Sequence, residues 1–150
     1  MRRELPMILI RVIVGMVFVL EGTLKFLLPN ELGAGMFASV GIPFPHLVAP
    51  TVGAIEIVGG LAIVLNIYAG DAALALLIVM LSALVTTKIP ILLGRQFGPF
   101  PLQPMLHYGL LSFFHEARTE LCMIFGTLAV LIDTGLQLGR RRQWYQGSER

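Results

Sequence analysis

"GAIEIVGGLAIVLNIYAGDAALAL", residues 53–76, is apolar on both sides of a break at "AGD", residues 69–71, too short for the chain to do anything but turn straight back. The apolar run before the break reaches back to about Val48, and the run after it reaches forward to about Leu93. Each flank therefore has the roughly 20 residues that an α-helix needs to cross the ~30 Å hydrocarbon core of a bilayer. The reading is an antiparallel hairpin of two membrane helices, over residues 48–68 and 72–93. Glu56 lies in the first of them, on the same helical face as Gly53 and Gly60, whose missing side chains admit a close neighbour.

Outward from this hairpin the pattern repeats. A helix is expected over residues 6–28, with Pro6 suited to a first turn and Pro29 ending it. Another is expected over residues 119–139. The connection 29–47 is rich in Gly and Pro, Pro90 kinks the end of the third helix, and residues 94–118 form the longest connection, lying at the interface. The 150 residues are 56% hydrophobic and 13% charged, and their mean hydropathy is +0.82, values that exclude a soluble domain. The fold class is all-α: one domain over residues 1–150, an integral membrane four-helix bundle with antiparallel neighbours. The first run is read as a retained helix, since it is too long for a signal-peptide core and contains Arg11, Glu21 and Lys25.

Lys and Arg near the helix ends set the orientation. Arg2 and Arg3 flank the first helix and Arg140, Arg141 and Arg142 close the fourth, while residues 29–47 contain no Lys or Arg. Both termini are expected in the cytoplasm, in a multi-pass protein of the cell inner (plasma) membrane, with Trp144 and Tyr145 near the cytoplasmic interface.

This orientation places Glu21, Lys25, Glu56, Lys88 and Glu120 in the outer half of the bundle, where every helix contributes one or two charges. Each would cost about 2.5–3.5 kcal/mol alone at mid-helix, so they are expected to face inward, pair, or line a wet cavity. One reading is structural, with Glu21 and Lys25 as an i,i+4 pair and Glu56 with Lys88 as another. The other is a polar pocket for a small redox-active or acidic ligand. In the inner half, Arg11 and Asp133 are a candidate pair.

No metal site is expected. One cysteine, Cys122, excludes an intramolecular disulfide and reads as a small packing residue. His46, His107 and His115 are placed in loops, which disfavours a bis-histidine haem, and "GRQFG", residues 94–98, reads as a turn. Nothing points to nucleic acid. The expected partners are the lipid bilayer, a redox protein and a second copy of the chain.

Three stretches, "RVIVGMVFVLEGTLKF" (11–26), "MFASVGIPFP" (36–45) and the opening hairpin, resemble the DoxX family of small bacterial four-helix membrane proteins. The matching positions are Arg11, Gly22, Lys25, Glu56, Gly59 and Gly60. The resemblance covers residues 8–93, and the ending "IDTGLQLGRRR" (132–142) departs from the Gly-Pro-Gly-rich ending of the family. It implies fold and location, and a link to membrane oxidoreductases, since some relatives are tied to thiosulfate:quinone oxidoreductases and others to complexes for oxidative-stress resistance.

Three functions are expected from these features. The first is a membrane oxidoreductase subunit, possible as an enzyme component, taking a quinone near Glu56 and Lys88 and electrons from a redox partner. The alternative is a non-enzymatic scaffold or assembly factor in which the charges fix helix packing. A small-solute transporter is the third, and needs oligomerisation to form a wall.

Overall fold

The computed structural model describes residues 5–147, with the side chains of residues 136 and 138–147 outside the description. The expectations for Arg2, Arg3, Arg140, Arg141, Arg142, Trp144 and Tyr145 fall outside the described residues or side chains. The elements are α1 (Leu5–Leu27), α2 (Ala34–Ser39), α3 (Pro45–Leu65), α4 (Ala69–Ala83), a π-helical turn (Leu84–Lys88), α5 (Ile89–Leu93) and α6 (Leu110–Gly147). There is no named strand among the described residues, only one isolated bridge between Phe97 and Phe100.

Several boundaries differ from those read off the sequence. The hairpin turn is Asn66–Tyr68, not Ala69–Asp71: Asn66 and Tyr68 both take left-handed backbone, at φ 56° and 48°. Asn tolerates that conformation well, and Asp71 then falls in the first turn of α4, where the helix dipole favours a carboxylate. Residues 29–47 are not all loop, because α2 folds within them and Pro45 opens α3 at its first position. The largest difference is α6, which starts at Leu110 instead of Thr119 and runs on to Gly147 instead of ending at residue 139. Charged residues at 115–120 hide its first turns from a hydropathy reading without breaking the helix.

Pro90 acts on the turn before it. It has no N–H to donate back along the helix, and that preceding turn widens to π geometry. Thr86 and Thr87 both donate their hydroxyls to the Ala83 carbonyl, at 3.2 and 2.7 Å. The rod from Ala69 to Leu93 is thus continuous but rotated midway.

α1 packs on α3, α3 on α4, α4 on α6, and α6 returns to α1. The core they share holds Val14, Phe18, Ile63, Ala73, Leu76, Met123 and Val130. The closest approach is α1 on α3. A Cβ built on Gly15 would stand 2.5 Å from the Gly60 carbonyl oxygen, one on Gly60 would stand 2.5 Å from that of Gly15, and one on Gly22 would stand 2.5 Å from that of Gly53. The glycines of each helix are seven residues apart, so two antiparallel helices meet backbone to backbone at two successive levels.

The exterior is apolar where a soluble bundle would be charged. Ile13, Leu20, Val58 and Ile78 are all more than half exposed, whereas Arg11, Glu56 and Thr127 are buried. Among the described residues three helical stretches, Leu5–Leu27, Pro45–Leu65 and Ala69–Leu93, are long and apolar enough to cross a membrane, with mean hydropathies of 2.2, 2.0 and 2.3. Lipid is the solvent such a surface fits.

Candidate functional site

Among the described residues three ion pairs lie inside this apolar shell, and each ties two helices together. Lys25 of α1 meets Glu56 of α3 at 2.7 Å. Lys88, at the end of the π turn, meets Glu120 of α6 at 3.2 Å. Arg11 of α1 meets Asp133 of α6 at 2.6 Å, and Gln137 donates to the same carboxylate oxygen at 2.8 Å.

The pairing differs from the one read off the sequence. Glu56 and Lys88 are not partners; they belong to separate pairs on different helix interfaces. Glu21 and Lys25 form no i,i+4 ion pair either, because the Lys25 ammonium turns across to α3. Glu21 is half-buried and has no cation within 4.0 Å among the described residues. The π turn explains where Lys88 goes: an extra residue in the turn sets the downstream residues back by roughly 100° from the course of a regular α-helix. That rotation carries the ammonium to the α6 side of the rod.

Lys25–Glu56 is the most enclosed pair, its side chains 11% and 2% exposed. The contact, at 2.7 Å, is within the range of a charge-assisted hydrogen bond from the ammonium to the Glu56 Oε2 atom. Nothing in this arrangement opens Glu56 to a ligand. At the other end Arg11 spends one guanidinium nitrogen on Asp133 and keeps its Nε buried without a partner. An Asp133→Asn chain is therefore expected to lose about 1.5–3 kcal/mol of unfolding free energy, the worth of a hydrogen bond to a charged group. Thermal unfolding in detergent checks this, with Asp133→Glu as the charge-keeping control; equal melting of the Asn variant and the natural chain would refute it.

Among the described residues, Lys88 is a candidate charge that reaches a cavity. A cleft of about 320 Å³ is lined by Thr87 and Lys88, by residues of α2, by Gln103, and by Glu116 of α6. Glu116 escapes a sequence reading that treats residues 94–118 as a loop. Its signal is its spacing from Glu120, one helical turn, which is informative only once both residues are known to be helical. Gly15 and Gly22 escape as a packing pair too, although their spacing of seven matches that of Gly53 and Gly60.

The remaining candidates scatter. His46 lies in α3 and His115 in α6, not in loops, and His107 lies between α5 and α6. Cys122 is exposed on α6, not packed in the core, because the adjacent Met123 and Ile124 take the buried positions. Gly94 and Gly98 hold positive φ in the turn after α5. No group of three potential metal-binding side chains occurs among the described residues.

Helices with apolar exteriors closed over buried, mutually paired charges define an all-helical membrane protein. Comparison with known proteins agrees: residues 7–89 match the family model described as DoxX, and the chain belongs to the DoxX family. It is also 39% identical over 127 residues, 83% of this chain and 72% of the relative, to a protein of Mycobacterium tuberculosis described as uncharacterized membrane protein Rv3486. No solved structure matches the chain.

Proposed function

We propose that this DoxX-family chain is a multi-pass protein of the cell inner (plasma) membrane that acts as a non-enzymatic scaffold or assembly factor for a membrane partner. The observation that carries this is the mutual pairing of Lys25 with Glu56, Lys88 with Glu120 and Arg11 with Asp133. Each pair clasps two helices and neutralises its own two charges. The proposal includes four membrane crossings with both termini cytoplasmic. The fourth crossing is α6, whose residues 119–139 contain just two charged residues, Glu120 and Asp133, each paired to another helix. The arginine runs at residues 2–3 and 140–142 support the orientation. At 38 residues, α6 is roughly 57 Å long, nearly twice the ~30 Å apolar core. One end of it therefore projects toward partners.

An oxidoreductase subunit holding a quinone between Glu56 and Lys88 would need both groups on one accessible surface. They sit in different pairs, and Glu56 is 1% exposed. In a strain lacking the natural gene, a chain carrying both Lys25→Met and Glu56→Leu is expected to restore the lost phenotype and to capture the same cross-linked membrane proteins as the natural chain. Failure of a well-folded double variant would overturn the scaffold reading and return an acid–base role to Glu56.

A further inference from the structure

Beyond scaffolding, the cleft beside Lys88 has the charge layout of a specific binding site. The Lys88 ammonium, which carries three N–H donors, forms an ion pair with a single carboxylate, Glu120, at 3.2 Å among the described residues. Glu116, one turn earlier on α6, lines the cleft and has no cation within 4.0 Å among the described residues. The wall thus presents a lysine with spare donors and, apart from it, a carboxylate still lacking a counter-charge. A simple anion would be opposed by two carboxylates, and a simple cation would be opposed by the lysine. A group carrying both an ammonium and a phosphate satisfies the two sides at once.

The kind of ammonium is also specified. Quaternary ammonium groups are held by aromatic rings, and among the described residues no Phe, Tyr or Trp lines this cleft. Instead the wall offers acceptors, Glu116 and the side-chain amide of Gln103, which suit the N–H donors of a primary ammonium. Gln103 and Met105 are held in the wall by Tyr108, whose hydroxyl donates to the Gln103 carbonyl and accepts from the Met105 N–H, both at 3.0 Å. Met36, Ile91 and Met105 supply apolar surface beside the charges. Lys88 lies roughly 8 Å along the helix from Leu93, the end of its apolar stretch. From that depth a lysine side chain can extend its ammonium toward the headgroup layer while its stem stays among apolar groups.

We propose that this cleft binds a zwitterionic phosphoethanolamine headgroup, with the ammonium on Glu116 and a phosphate oxygen on Lys88. The test is native mass spectrometry of the full chain released from nanodiscs of equimolar phosphatidylethanolamine, phosphatidylcholine and phosphatidylglycerol. One phosphatidylethanolamine per chain is expected to be retained about tenfold over either other lipid, the worth of one charge-assisted hydrogen bond. Glu116→Gln is expected to abolish the preference and Glu116→Asp to keep it, with both variants compared at natural helicity and melting temperature. Soluble glycerophosphoethanolamine separates the sources: if it displaces the lipid, the headgroup alone suffices, and if it does not, the bound species is the lipid with its chains; both results uphold the headgroup assignment. Equal retention of the three lipids, preference for phosphatidylglycerol, displacement by a short-chain quinone, or an unchanged Glu116→Gln profile would overturn it.

Discussion

Replacing Lys25 by Met is expected to cost the folded protein about 3–5 kcal/mol, the penalty for removing one partner of a buried ion pair. The Glu56 side chain it abandons is 2% exposed, so neither water nor lipid headgroups can take over the lost cation. The loss belongs to the stranded charge more than to the bond. For that reason Glu56→Leu in the same chain is expected to return most of the stability, since apolar replacement of both members of such a pair is often neutral or better. Unfolding in mixed micelles measures all three chains. If the single and double variants unfold alike, the pair is not what holds Glu56 in place.

Gly60→Val is expected to separate α1 from α3. A Cβ at this position meets the Gly15 carbonyl oxygen at 2.5 Å and the Val19 Cγ2 atom at 2.9 Å. The first obstacle is backbone and cannot rotate away, so the expected cost lies at the upper end of the ~1–3 kcal/mol typical of overpacking. The same approach sets the distance between Lys25 and Glu56, so this change and Lys25→Met are expected to be non-additive. Gly59→Ala provides the contrast: its Cβ meets the Leu76 side chain at 3.0 Å, which can shift, and the cost is expected to be smaller. Equal unfolding of the two glycine variants would sink the claim that backbone contact defines the α1–α3 seam.

These two results bear on what a sequence exposes to reading. The apolar runs on either side of residues 66–71 are legible as helices because hydropathy is a sum over neighbours along the chain. The face carrying Gly53, Glu56 and Gly60 is legible because spacing around a regular helix is fixed at about 100° per residue. The partners of that face are not. Glu56 had three lysine or arginine residues to choose from among the paired cations, and the glycine contacts with α1 select Lys25 by bringing that backbone nearest. The start of α6 is hidden for a related reason. Residues 110–118 are helical through hydrogen bonding that charged side chains do not disturb, while the hydropathy signal there falls away.

By itself, then, the chain's amino-acid order determined an all-helical membrane protein, its apolar stretches and its inventory of intramembrane charges, because each is a local property of composition and period. Which charge meets which was decided only in three dimensions. Regular periodicity says nothing of a π turn, and the one before Pro90 redirects Lys88 by roughly 100°, toward Glu120 and away from Glu56. Ion pairs act over a few ångströms, so a rotation that leaves hydropathy untouched is enough to divide one expected cluster between two interfaces and to leave Glu116 facing an open cleft.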